Sequence, residues 1–255
     1  MKDDLGSRMK DSYEDRYRIF LPRRAYMMLR IDGKSFHSYT RKFKRPFDYD
    51  LMAMMDATAL ALCEEIMGAR IAYVQSDEIS ILVTDFDKLQ TQAWFGGNLQ
   101  KICSVSASIA TAAFNKYRVL NDEDTDLSEM DFACFDSRVF LLADPYEVEN
   151  QFIWRQKDAE KNSIQMLARS LYSHKQLNGK SSRDMHDMIH KKGLNWNDVP
   201  TGAKRGRTIV RGLEGKWGVD KDPPVFTRDR SYLRGKIPLL PNWNDAVAEE
   251  IVVEV

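Results

Sequence analysis

Apolar positions along the first 143 residues alternate between two spacings. Residues 25–32, AYMMLRID, form a compact apolar run closed by Asp-Gly, the pattern of a strand entering a turn. Residues 48–68 carry apolar side chains at 51, 54, 55, 59, 62 and 66, a helical stripe stopped by Gly68. RIAYVQ (70–75) and EISILVTD (78–85) read as two strands joined by a polar centre. Residues 98–117 are rich in Ala and Ser, with Leu99, Ile102, Ile109, Ala113 and Phe114 on one side, which predicts a helix packed closely on a sheet. FDSRVFLLA (135–143) is a further strand. The order from 25 to 143 is β-α-β-β-α-β, which predicts an α+β fold with a ferredoxin-type split βαβ sheet.

The remaining chain predicts a helical and irregular extension. Residues 157–177 read as a helix with Ile164, Leu167, Ala168 and Leu171 inward, and 185–193 as a short helix ended by Gly193. Residues 194–210 read as a loop followed by a strand. The tail from 218 is loop-like and ends in the strand-like EEIVVEV.

Composition fits a large folded core: 255 residues, 43% hydrophobic and 30% charged. Lys plus Arg (38) balance Asp plus Glu (38), so no overall field marks a nucleic-acid binder. The charge is nevertheless blocked: basic over 34–45 and 204–216, acidic over 121–131. Such blocks permit a basic groove, but on charge alone they read as solvated loops. Cys63, Cys103 and Cys134 are odd in number and far apart, which predicts buried free thiols, a reducing cytoplasm and no zinc site. No stretch reads as a signal peptide or a membrane span.

The chemistry begins in YVQSDEISILV (73–83), where Ser76, Asp77 and Glu78 interrupt an apolar strand pattern. A buried carboxylate needs compensation, so these acids sit in a solvated turn or something positive sits on them. If the first strand and the hairpin are neighbours, Asp32 and Asp77 come together as hard oxygen ligands suited to Mg²⁺ and its phosphates. Each acid alone reads as an ordinary turn residue; taken with the basic block after Asp32, the pair favours the metal reading. DGKSFH (32–37) can offer backbone N–H groups and Lys34 to a triphosphate, and no Walker loop occurs in the chain. His37 could touch phosphate or simply pack. Lys101, a long cation on a small-residue helix, pairs with acid or phosphate or else reaches to solvent. Arg155, Asp158 and Asn162 share one helix face opposite the apolar stripe, a face that is either solvated or able to orient an RNA end. Lys204, Arg205 and Arg207 would suit RNA phosphates or form a basic loop.

RIDGKSFHSY, YVQSDEISILV, FDSRVF, WRQKDAEKNS and AKRGRTIV, in this order over about 16–212, resemble the tRNA-His guanylyltransferase family and its 3′-to-5′ polymerase relatives. The resemblance implies a polymerase- and cyclase-like palm over 1–143, with 144–255 packing on it and contacting tRNA. It implies adenylylation of a tRNA 5′ end by ATP and attack by the 3′-hydroxyl of GTP. Asp32, Asp77 and Glu78 would be the catalytic acids, and Asp32, Asp77 and the Gly33 carbonyl would hold two Mg²⁺ ions. Asp32, Gly33, Lys34, Ser35, Phe36, His37, Arg45, Asp48, Ser76, Asp77 and Lys101 would bind nucleotide. A homotetramer or homodimer is implied. Eukaryotic members carry His-Ile-Asn-Asn-Leu-Tyr-Asn where this chain has EKNSIQM (160–166), and only Asn162 matches in place. That departure points to the relatives that repair truncated tRNA 5′ ends rather than to a dedicated tRNA-His role. An RRM-like RNA-binding module lacks its aromatic pattern on AYMMLRID and IAYVQSDE. A cyclic-nucleotide synthase fits poorly with the basic C-terminal half.

Overall fold

Met27, Leu29 and Ile31 alternate with Tyr26 and Met28 along the first strand, and all five are buried. Side chains of a strand point to opposite faces in turn, so this strand has to be covered on both sides. The structure, a computed structural model describing residues 4–121 and 130–241, shows how. The chain runs α1 (Asp4–Met9), β1 (Tyr26–Gly33), α2 (Phe36–Tyr39), α3 (Tyr49–Glu65), β2 (Ala69–Gln75), β3 (Glu78–Val83), α4 (Leu99–Asn121) and β4 (Phe135–Leu142). It continues as α5 (Pro145–Leu171), α6 (His174–Leu177), α7 (Ser182–Lys191), α8 (Thr201–Arg205), β5 (Arg207–Arg211), β6 (Trp217–Asp220) and α9 (Ser231–Arg234). Among the described residues six strands form one antiparallel sheet in the order β4-β1-β3-β2-β5-β6.

One face of the sheet, with Leu29, Ile31, Val74, Ile79 and Ile81, packs on Met55, Leu62, Ile102 and Phe114 of α3 and α4. The other, with Met28, Ile71, Tyr73 and Leu82, packs on Val148, Phe152 and Ile153 of α5 and on Phe226 and Leu233. A smaller cluster joins the distal part of α5 to α6, α7 and Trp196. β5 and β6 extend the sheet from the C-terminal half of the chain, so both halves share its hydrogen bonds.

Local chemistry sets the boundaries. The Asp48 carboxylate accepts the Leu51 N–H at 2.8 Å and starts α3. Gly68 has φ +86°, and a Cβ there would lie 2.2 Å from the Thr84 carbonyl oxygen, so only glycine turns the chain into β2. The helix expected over 157–177 begins instead at Pro145, because the Asp144 carboxylate caps the Tyr146 and Glu147 N–H groups and proline fits the first turn. It ends at Leu171, where Tyr172 is extended and Ser173 opens a new capping box. The loop expected before β5 contains α8, and the tail expected to be loop-like begins with β6, paired to β5. Most of the acidic block over 121–131 and the strand-like tail EEIVVEV lie outside the described residues.

Of the three thiols expected to be buried, only Cys63 is; Cys103 is half-buried and Cys134 exposed, because it lies just before β4 outside the apolar stripe. Burial pushes the Cys63 thiol well above its ordinary pKa. Among the described residues no helix is long and apolar enough to cross a membrane.

Candidate functional site

β1 and β3 are paired so that Asp32 lies opposite Glu78, and the same residue faces Asp136 of β4 on its other side. The turn between β2 and β3 holds Ser76, with φ +48°, and Asp77. The Gly33 N–H donates to the Asp77 carbonyl at 3.0 Å, and the Lys34 N–H to the Cys134 carbonyl at 2.8 Å. Residues 32–34 are therefore pinned between the hairpin and the entry to β4. This brings Asp32 and Asp77 side by side at one end of the central strands, as the order of strands predicts.

Beyond Gly33 the chain doubles back through Ser35, with φ +57°, into α2. The Phe36 ring packs with Tyr39, Phe114 and Phe135. It lies so close over Gly33 that a Cβ there would fall 2.2 Å from the ring, so a glycine is required. Lys34, Ser35 and His37 are exposed at this rim.

Beside the acids opens a cleft of about 390 Å³. Phe36, His37, Arg45, Asp48, Ser76 and Asp77 line it, six of the residues expected to bind nucleotide. Its far wall is Met166, Arg169 and Ser170 of α5, which the sequence did not single out, and Lys44 adds a further cation. Asp48 is buried and also accepts the Lys44 N–H at 2.8 Å, so it shapes the loop as well as lining the cleft. Lys101 is exposed in the first turn of α4 and is not part of the lining.

Glu78 answers the charge question. It is 4% exposed. Arg30 Nη2 lies 2.5 Å from Glu78 Oε2, and Arg155 Nη2 donates to the same oxygen at 2.9 Å. Arg155 Nε is 2.7 Å from Oε1 but off-axis, so the aligned hydrogen bond is the one from Nη2. Burial pushes the Glu78 carboxyl up, Arg155 and Arg30 pull it down, and Asp32 pushes it up again. Arg30 had a sequence signal: it is the charged residue inside an otherwise apolar run, two positions from Asp32 and so on the same face.

This changes the expected RNA face. Arg155 is turned inward onto Glu78, and its other partner is Asp158 at 3.1 Å, which also accepts from Asn162 at 3.3 Å. Lys204 and Arg207, expected to meet phosphates, are buried. Lys204 Nζ donates to the Asn197 carbonyl, and Arg207 pairs with Asp56 of α3. Arg205 is held by Glu160 at 2.6 Å. The correction has one cause: β5 is an inner strand between β2 and β6, so the basic run that leads into it is folded against α3 and α5.

The acid pair fits a hard cation. Burial pushes the Asp77 carboxyl above its ordinary pKa, hydrogen bonds from its own backbone and Ser76 lower it, and the charge of Asp32 pushes it up again. Among the described residues no group of three His, Cys, Asp or Glu side chains is placed to hold a metal. A cation here would take two carboxylates and fill its shell with carbonyls, water and substrate phosphates, the habit of Mg²⁺.

A family model described as Thg1: tRNAHis guanylyltransferase matches residues 6–143. A solved bacterial tRNA(His) guanylyltransferase (Thg1)-like protein in complex with ATP superposes with a TM-score of 0.85 at 47% identity, covering 92% of this chain and 100% of that one. A complex of such a bacterial protein with GTP gives 0.78 at 43%, covering 93% and 100%. The tRNA(His) guanylyltransferase of Schizosaccharomyces pombe is 28% identical over 200 residues, 73% of each chain.

Proposed function

The chain belongs to the tRNA(His) guanylyltransferase family and is a nucleotidyltransferase, and from that premise we propose that it extends tRNA 5′ ends in the 3′-to-5′ direction by template-directed repair. The observation that carries the reading is the Gly33–Asp77 hydrogen bond, which sets Asp32 beside Asp77, itself part of the cleft lining. The bacterial relatives, similar over nearly the whole chain, are described in complex with ATP and with GTP, the two nucleotides the reaction needs. The order β4-β1-β3-β2 supports a palm-like, ferredoxin-type reading of 1–143, whose sheet β5 and β6 of the C-terminal half continue; the tRNA contacts are assigned to 144–255 as part of the same proposal.

In the first step an oxygen of the tRNA 5′-monophosphate attacks the α-phosphorus of ATP and pyrophosphate leaves. In the second the 3′-hydroxyl of GTP, or of another nucleoside triphosphate, loses its proton and attacks the tRNA 5′ phosphorus. AMP leaves, and the added nucleotide carries the new 5′-triphosphate. Asp32 and Asp77, with the Gly33 carbonyl, would hold Mg²⁺, which when bound neutralises the triphosphate and stabilises attacking and leaving oxygens. Phe36, His37 and Ser76 line the cleft that would take the triphosphate, Arg45 and Arg169 add positive charge to it, and Phe36 supplies its apolar floor, while Lys34 and Ser35 are exposed at the rim. Glu78, held by two guanidiniums, positions the strand that presents Asp77.

The structure of 160–166 supports repair over a dedicated tRNA-His role. Glu160 is engaged with Arg205, while Ser163 accepts from Trp196 and donates to the Lys204 carbonyl. Glu160 and Ser163 are thus engaged within the protein, which supports a reading in which selection falls to base pairing with the opposite acceptor strand. Truncated tRNAs lacking their first nucleotide, with each of the four template bases, are expected to receive the complementary nucleotide. Full-length tRNA-His is expected to be a weaker substrate. Preferred addition of guanosine to full-length tRNA-His regardless of template would restore the dedicated guanylyltransferase reading.

A further inference from the structure

On α5, Trp154 is 51% exposed although Ile153, Arg155 and Gln156 beside it are buried. The ring is held from beneath by charge: the Arg155 guanidinium carbon lies 4.6 Å from its centroid and that of Arg30 5.9 Å. Both arginines are fixed on Glu78. Arg30 shares its sheet face with Asp32, and Arg138, opposite Arg30 in the neighbouring strand, reaches Asp32 Oδ2 at 3.4 Å. Trp154 is thus joined to the acid pair by a continuous row of charged side chains.

The nucleotide cleft takes its wall from the other end of the same helix. Met166 is twelve positions beyond Trp154 in α5, about 18 Å at the rise of an α-helix. Asp77 lines the cleft with Met166, and Arg155, next to Trp154, is held on Glu78, the residue after Asp77. A nucleoside triphosphate occupying the cleft leaves the Trp154 side open, and an exposed indole over guanidiniums suits a nucleobase rather than a phosphate.

We infer that Trp154 is the stacking platform for the terminal base of the RNA acceptor end, holding its 5′ phosphorus toward Asp32. The inference rests on the reading that an RNA 5′ end is a substrate, so its test reads binding as well as turnover. The substitutions are Trp154→Leu, which keeps apolar bulk without a π-face, and Trp154→Phe, which keeps the face. The probes are a 5′-monophosphorylated tRNA lacking its first nucleotide, titrated at fixed salt, and GTP, whose KM is measured in the addition reaction. Stacking is worth about 1–3 kcal/mol per base, so Trp154→Leu is expected to weaken tRNA binding about 5- to 150-fold. Trp154→Phe is expected to stay within about threefold of wild type, and the KM for GTP to be unchanged in both. Unchanged tRNA affinity in Trp154→Leu overturns the inference, as does a raised KM for GTP with unchanged tRNA affinity, or equal losses in Leu and Phe. Wild-type protein that binds tRNA but adds no nucleotide overturns the parent reading instead, and the binding series still decides the role of Trp154.

Discussion

Asp32→Ala and Asp77→Asn are each expected to lose nucleotide addition by roughly 10³-fold or more while remaining folded. Removing a hard ligand removes a cation that contributes several kcal/mol of transition-state stabilisation, and neither side chain belongs to the apolar clusters that hold the sheet. For Asp77 the effects on stability and activity have opposite signs. Burial and the neighbouring Asp32 charge raise its folded pKa above the value of an unfolded aspartate. Between those two values the folded chain binds more protons than the unfolded one, so stability falls as pH rises through that window. At neutral pH the ionised carboxylate is a net strain on the metal-free fold, and Asp77→Asn relieves it. In chelator, the variant is expected to melt at a higher temperature than wild type; in Mg²⁺ plus GTP, only wild type gains stability from the ligands. A variant that melts lower in chelator, or that retains wild-type turnover, would contradict this placement of the site.

Arg155→Ala is expected to destabilise the protein by about 1.5–3 kcal/mol, the worth of a hydrogen bond to a charged group, because Arg30 stays on Glu78. Glu78, 4% exposed, would keep Arg30 and the Ser80 hydroxyl at 3.3 Å but lose its second cation. Urea unfolding measures the loss. Adding Glu78→Gln to Arg155→Ala should recover part of it, because the buried charge left with a single cation is gone and the two sites are in contact. A loss below about 1 kcal/mol, or purely additive effects of the two substitutions, would show that the pair is not what ties α5 to the sheet beneath the site.

How much was legible in the sequence followed from the range of the interactions. The strand at 25–32, the hairpin, the Ala-rich helix and the strand at 135–143 show local periodicity, and they stand where that periodicity places them. The meeting of Asp32 with Asp77 followed from strand order, and the register supplies it. What needed the fold was long-range. The first turns of α5 mix charged and apolar residues, and their best signal was the Asp144–Pro145 cap rather than a stripe. Met166, Arg169 and Ser170 reach the cleft only because α5 folds back over the sheet. Arg155 and Arg207 looked like surface charges because their acids, Glu78 and Asp56, lie 77 and 151 residues away. A charge paired at that distance has no local signature.

The most direct measurement takes tRNA lacking its first nucleotide, with either a 5′-labelled monophosphate or a triphosphate end, and follows GTP addition with and without ATP in Mg²⁺. The monophosphate end has no leaving group and the triphosphate end already carries pyrophosphate. Addition to the monophosphate is therefore predicted to need ATP and to pass through an adenylylated 5′ end, while addition to the triphosphate proceeds without ATP. Equal addition to both ends in the absence of ATP, or addition at the 3′ end instead, would contradict the account.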